Sequence, residues 1–326
     1  MNFWEKLKKS TRRKVSPIMI LAPMEGVTDT VFRQIVASVG KPDVMMTEFV
    51  PVDAILSQGS SEVMRSLQYS AVERPIVAQI WGTDPDKFFK VAKLLKKMGF
   101  DGIDINMGCP VYDVIKKGAC SALIKNPKLA EEIILATIKG AEGLPVSVKT
   151  RIGFDKIQTE EWTKVLLQTP ISALILHLRT TREMSKVPAH WEEISKAVKV
   201  RDQLKSNALI IGNGDIKTLN DAKDKCKEYG LDGAMIGRGI FENVYLFDSK
   251  VDPLKVTPSQ KIALLLKHLK LYKKIRGEGK HFESVKKFVK CYINNFDGAS
   301  EERIALMNTK TLDELTLSVL ELKKTC

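Results

Sequence analysis

From about residue 18 onward, short apolar runs alternate with longer stretches whose apolar residues recur at helical spacing. The runs are IMILA (18–22), VMMTEF (44–49), PIVAQI (75–80), GIDIN (102–106), PVSVKT (145–150), SALILHL (172–178), ALIIGN (208–213) and GAMIG (233–237). They are continuous rather than alternating, the pattern of strands buried on both faces of a parallel sheet. The spacing between them predicts helices over 84–98, 126–139, 160–168, 191–205 and 218–228. Asp84 and Asn126 each precede a proline, as an N-cap followed by a first-turn proline would. Eight such units in about 235 residues match the size of a (β/α)8 TIM barrel. An open doubly wound sheet is the rival fold, and it usually has fewer strands.

The polar residues favour the barrel. Glu25 and Gly26, Glu48, Gln79, Asn106, Lys149, His177, Asn213 and Arg238 fall at the C-terminal ends of successive runs. A barrel assembles its chemistry at that end, from many strands. After Val251-Asp252-Pro253 the strand signal stops. IALLLKHLKLYKKI, FESVKKFVKCYINNF and LDELTLSVLELKK read as helices. The expected organisation is a basic N-terminal arm (1–16), a catalytic barrel (17–250) and a small helical domain (255–326).

Charge adds a partner class. The formal net charge is +13, and residues 255–326 hold 15 Lys/Arg against 8 Asp/Glu. Such an excess favours a polyanion, chiefly nucleic acid, over a neutral partner. No apolar run is long enough to span a bilayer, and MNFWEKLKKSTRRK lacks a signal-peptide core, so the expectation is a cytoplasmic protein with no membrane partner. The five cysteines (Cys109, Cys120, Cys226, Cys291, Cys326) are scattered without a CxxC pair or Cys/His cluster. Neither a metal site nor a disulfide framework is expected. A chemically active cysteine would therefore act alone, and the remainder are read as ordinary packed thiols.

DINMGCP (104–110) places a polar Asn and a thiol, flanked by Gly and Pro, where an apolar run stops. IIGNGDI and AMIGRGIFEN end the seventh and eighth runs with glycines that let backbone N–H groups approach a ligand. Barrels often bind phosphate there, and Arg238 adds a charged contact. Gln79 suits the edge of a heterocycle, and Lys149 the anionic ring of a reduced flavin. A GxGxxG opening the first unit is absent, which disfavours a resident dinucleotide and leaves FMN as the economical cofactor.

LAPMEGVTDTVFR (21–33), VAQIWG (77–82), DGIDINMGCP (101–110), VKTRIGFD (148–155), LHLRTTREM (176–184), IIGNGDI (210–216) and MIGRGIF (235–241) occur in order at barrel spacing. On these stretches the sequence resembles the tRNA-dihydrouridine synthase family, the FMN-dependent bacterial type, over nearly its whole length. The resemblance implies FMN against Pro23, Met24, Glu25, Gln79 and Lys149, with His177 beside it. Asn213, Gly214, Asp215, Gly237 and Arg238 would lie on its phosphate side. The catalytic cysteine falls on Cys109, which would protonate uracil C5 while FMN, recharged by NADPH, gives hydride to C6. A thiol near a reference pKa of about 8.5 is mostly protonated at neutral pH and can donate. Asn106 is expected at the uracil edge. RNA contacts are expected from Arg151, Arg179, Arg182 and Lys186 on the rim and from Lys286, Lys287 and Lys290 in the tail, with Lys286 and Lys290 on one helical face.

The RNA is expected to be tRNA and the protein a monomer. Departures at Leu178, 186–188 and Tyr112-Asp113 leave ribosomal RNA open. A flavin reductase of free pyrimidines and a non-catalytic RNA-binding barrel are the rival readings.

Overall fold

A computed structural model describes residues 3–14, 16–57, 61–277 and 282–325. Eight parallel strands close into a barrel: β1 (Ile18–Leu21), β2 (Val44–Met46), β3 (Ile76–Trp81), β4 (Gly102–Met107), β5 (Val146–Arg151), β6 (Ala173–His177), β7 (Leu209–Asn213) and β8 (Gly233–Ile236). Each pairs with its successor, and β1 pairs with both β2 and β8, which completes the ring. A two-residue strand, Val50–Pro51, adds to the top of β3. All eight predicted runs are strands.

Helix α1 (Phe3–Lys14) precedes the barrel. Between the strands run α2 (Thr30–Val39), α3 (Pro85–Lys97), α4 (Pro127–Ala141), α5 (Thr159–Leu167), α6 (Ile194–Gln203) and α7 (Leu219–Tyr229). The predicted caps form: Asp84 accepts from the N–H groups of Asp86 and Lys87, and Asn126 from that of Leu129.

Strand pleating sorts side chains into two sets. Met19, Leu21, Met45, Ala78, Ile103, Ile105, Val148, Leu174 and Ile210 face the helices. Ile18, Ile20, Val44, Met46, Val77, Ala173, Ile175, Leu209, Ile211 and Met235 fill the interior. Continuing that inward register toward the strand ends gives Gln79, Asn106, Lys149, His177 and Asn213. The barrel is thus apolar at its floor and polar at its mouth.

Of the N-terminal segment expected as an extra basic arm (1–16), Phe3–Lys14 is helical. Trp4, 1% exposed, closes the apolar interior from below with Phe3 and Leu7 against it.

Beyond the barrel lie α8 (Pro258–Arg276), α9 (Ala299–Met307) and α10 (Leu312–Thr325). The expected single helix over FESVKKFVKCYINNF is instead two four-residue helices, Glu283–Lys286 and Val289–Tyr292. Val285, Lys286, Phe288, Val289, Cys291 and Tyr292 are all buried, a set too broad for one face of a straight helix. The break delivers Phe288 onto Phe32 of α2, stacked at 4.7 Å, beside His268, whose Nδ1 meets the Tyr292 hydroxyl at 2.8 Å. Arg276 pairs with Asp29 at 3.2 Å, and Lys287 reaches the Gly26 carbonyl, so the tail grips the loop after β1. Behind that loop, Arg33 and Glu73 form a wholly buried ion pair at 2.6 Å. Among the described residues no helix is long and apolar enough to cross a membrane.

Candidate active site

The thiol loop follows β4. The side-chain oxygen of Asn106 accepts the N–H groups of Gly108 and Cys109, both at 3.0 Å, which turns the chain back over the strand end. Arg151, at the end of β5, donates from Nε to the Gly108 carbonyl at 2.7 Å and from its other nitrogen to the carbonyls of Thr180 and Met184. Ser121 donates its hydroxyl to the Cys109 carbonyl at 2.9 Å. An Asn, an Arg and a Ser from three segments thus fix one cysteine.

Below the loop a buried polar ladder crosses three strands. Ser147 donates to Asp104 at 2.5 Å, Gln79 donates to Asp104 at 2.7 Å, and Asn106 donates to Gln79 at 3.0 Å. Burial pushes Asp104 up to about 6, against the hydrogen bonds from Ser147 and Gln79. This ladder engages both ends of the Gln79 amide, and the Asn106 oxygen, expected to address a base edge, is committed to the loop.

Lys149 sits beside them. Burial and repulsion from Arg151 pull it down to about 8, while Asp104 and Cys109 oppose the shift, so it remains a cation at neutral pH. The Cys109 thiol is lowered to about 7: a hydrogen bond with Cys120 is the largest cause, burial opposes it, and the Val111 N–H, Arg151 and Lys149 assist. The expectation of a mostly protonated thiol therefore changes to one divided between thiol and thiolate near neutral pH.

On the other side of Lys149 opens a cavity of 470 Å3 over the ends of β1, β6, β7 and β8. Ala22, Pro23, Met24 and Met235 give it an apolar wall, and Lys149, His177, Arg179, Asn213, Gly214, Asp215, Gly237 and Arg238 a polar one. Asp215 joins the two arginines: it accepts from Arg179 and, at 3.4 Å, from Arg238. Burial works against its charge, but these contacts and the Ala189 N–H hold its carboxyl below the ordinary range. Arg179 also lies 3.1 Å from Nε2 of His177. Burial and the surrounding cations Lys149, Arg151, Arg179 and Arg238 keep His177 well below its ordinary pKa, so the ring is neutral and Nε2 accepts. An apolar wall, a neutral imidazole and a cationic end with glycine backbone suit a heterocyclic ring carrying a phosphate. The donor set fits FMN.

Several expected positions differ. Glu25 lies outside this cavity with its residue open to solvent; partial desolvation of the carboxyl end by the surrounding loop raises its pKa against the attraction of Lys287. Arg151 and Arg179 are 4% and 2% exposed and belong to the interior of the site, not to an RNA rim. Lys286 is buried as well, donating to Glu283 and to the carbonyls of Met307 and Thr309, so it shares no exposed face with Lys290. Both corrections have one cause: strand-end arginines and a lysine in a bent segment satisfy carbonyls that irregular chain leaves unpaired. Arg182, Lys186 and Lys290 are exposed, and Lys287 is half-buried at the Gly26 carbonyl.

The sequence reading gave two groups no part in the site. Glu48 is buried, accepts the Gly26 N–H at 2.6 Å and is raised to about 7, chiefly by burial and then by Asp29 and Glu25. Cys120, read as an ordinary thiol, is a neighbour of Cys109, and burial and that thiol raise its pKa well above the ordinary value. Position at a strand end could have promoted Glu48; nothing in spacing pairs the two cysteines. Cys326 lies outside the described residues.

The dihydrouridine synthase family model matches residues 20–325. A probable tRNA-dihydrouridine synthase of Staphylococcus aureus (strain COL) is 44% identical over 316 residues, covering 96% of this chain and 93% of that protein. The probable tRNA-dihydrouridine synthase 2 of Bacillus subtilis (strain 168) is 42% identical over 317 residues, covering 96% and 94%. Among solved structures, morphinone reductase in complex with tetrahydroNAD superposes with a TM-score of 0.51 at 12% identity, over 74% of this chain and 89% of that one. Histamine dehydrogenase from Rhizobium sp. 4-9 gives 0.54 at 10% identity, over 78% and 48%. These two likenesses are of fold. Matched along almost its whole length, the chain belongs to the dihydrouridine synthase family.

Proposed function

We propose that the protein reduces the C5–C6 double bond of uridines in tRNA to 5,6-dihydrouridine, with FMN as the bound cofactor and Cys109 as the proton donor. The observation that carries this is the thiol of Cys109, held at the barrel mouth by Asn106, Arg151 and Ser121 and set across Lys149 from the basic-ended cavity. The names borne by the relatives from Staphylococcus aureus and Bacillus subtilis support tRNA as the RNA.

Pro23, Met24, Lys149, His177, Asn213, Gly214, Asp215, Gly237 and Arg238 would hold FMN, with Arg179 added to the expected set. The chemistry FMN supplies when bound is hydride transfer to uracil C6, with NADPH as the reductant that recharges it. Lys149, at the cavity wall, would supply a positive charge to a reduced flavin ring. Cys109 keeps a proton on Sγ for C5, and the hydrogen bond from Cys120 and the charges of Arg151 and Lys149 stabilise the thiolate it leaves. The outer cations Arg182, Lys186 and Lys290 would meet the RNA backbone. The helices from Pro258 onward would act as the RNA-facing unit.

The test is dihydrouridine content, by nucleoside mass spectrometry, in separated tRNA and rRNA from cells lacking the gene. Restoration in tRNA by wild type but not by Cys109→Ala is the expected result. Restoration only in rRNA moves the substrate. No change in either fraction, with turnover of a free pyrimidine by the purified protein, overturns the RNA reading.

A further inference from the structure

The side chains of Cys109 and Cys120 are neighbours although eleven positions separate them, and each thiol shifts the pKa of the other. The contact is built into the backbone. Cys120 sits in the left-handed region at φ 52, and the residue after it returns to the thiol loop: the Ser121 N–H and hydroxyl both point at the Cys109 carbonyl, at 3.4 and 2.9 Å. A non-glycine residue in that conformation is uncommon, and it stands where the chain comes back against the thiol loop. Exposure is unequal: Cys109 is 9% exposed and Cys120 0%, so a small oxidant meets Cys109 first. The Val111 N–H, Arg151 and Lys149 face the Cys109 sulfur and favour its thiolate. Cys226 and Cys291 are buried in apolar surroundings that push both up to about 12.

We infer that Cys109 and Cys120 form a peroxide-sensitive pair, in which Cys120 captures oxidised Cys109 as a reversible disulfide. In the first step the Cys109 thiolate attacks a peroxide oxygen. An S–O bond forms, the O–O bond breaks, and the departing hydroxide leaves as water after taking a proton. In the second, Cys120 loses its proton and its sulfur attacks the Cys109 sulfur. The S–S bond forms, the S–O bond breaks, and a second water leaves. Two thiols are oxidised by two electrons, and one hydrogen peroxide is reduced to two waters.

The disulfide protects Cys109 from the irreversible sulfinic and sulfonic states. It also removes the proton assigned to catalysis, a consequence that rests on the reading of Cys109 given above; the disulfide itself does not.

The experiment treats the full-length, flavin-loaded protein with a small excess of hydrogen peroxide, blocks remaining thiols and maps tryptic peptides without reduction. Lys116 and Lys117 lie between the cysteines, so a link joins two separate peptides. The expected result is a Cys109–Cys120 linked pair lighter by two hydrogens, lost on adding dithiothreitol, while Cys120→Ser carries Cys109 on to sulfinic and sulfonic acid. Wild-type Cys109 that stays a thiol, or oxidises past sulfenic acid without a link, overturns the proposal. That readout needs no activity. A reversible link that leaves tRNA reduction intact would instead overturn Cys109 as proton donor.

Discussion

The side-chain oxygen of Asn106 accepts the backbone N–H of Cys109 at 3.0 Å, so the residue expected to hold the substrate base holds the thiol's own loop. Its amide nitrogen is anchored in turn on Gln79, which is anchored on Asp104. The placement of the thiol is therefore inherited from a buried ladder inside the barrel.

Asn106→Ala frees two backbone N–H groups and unlinks the ladder. The expected loss is about 1–3 kcal/mol of stability and a fall in kcat of about a hundredfold as the thiol drifts by an ångström or so. Steady-state kinetics on tRNA and urea denaturation read the two effects separately. Asn106→Asp keeps the acceptor and recovers part of kcat.

For a general acid the active form is the thiol, so lowering its pKa from 9.0 to about 7 moves the loss of activity toward neutral pH. kcat/KM is expected to be highest below pH 7 and to fall about tenfold per unit above it. Lys149, drawn down to about 8, steepens the fall at higher pH. Cys120→Ala removes the largest cause of the Cys109 shift and moves the descending limb upward. Cys109→Ala lowers the rate about 10²- to 10⁴-fold and removes the thiol's part of that limb, leaving the fall set by Lys149. A pH profile for each protein checks all of these.

Lys286 and Arg182 separate burial from recognition. Lys286→Ala strands the carbonyls of Met307 and Thr309 and is expected to cost about 1.5–3 kcal/mol, without changing the salt dependence of tRNA binding. Arg182 is 77% exposed, with a 3.6 Å contact to Asp155 as its ion pair. Arg182→Ala leaves stability within about 0.5 kcal/mol and lowers the slope of log affinity against log salt by about one. Thermal denaturation and salt titrations distinguish them.

The pair Arg33–Glu73 secures the loop that carries Met24. Glu73→Ala leaves a guanidinium buried without its carboxylate and is expected to cost about 3–5 kcal/mol. Thr30 and the Ser70 N–H lose an acceptor with it. A urea titration that moved the midpoint only slightly would mean that water relieves the charge.

The chain's local pattern was enough to predict the barrel. All eight strands fall on runs picked out in the sequence, the five helices expected from its periodicity form while Thr30–Val39 is not among them, and Asp84 and Asn126 announce their helices through hydrogen bonds made within three residues. The strand-end rule likewise located Lys149, His177, Asn213 and Arg238, because pleating and parallel register carry those ends to one mouth. The destinations of long side chains could not be read this way. Arg151, Arg179 and Lys286 look the same in sequence as solvated cations, yet Arg151 and Lys286 are buried against carbonyls from distant segments and Arg179 against the Val187 carbonyl and the Asp215 carboxylate. The Cys109–Cys120 contact depends on a left-handed residue and a returning 3₁₀ turn, and the Trp4 plug on a floor assembled from several strands. Short-range periodicity follows from backbone geometry that every residue shares. Which groups meet across the mouth is decided only when closure of the ring fixes their separations.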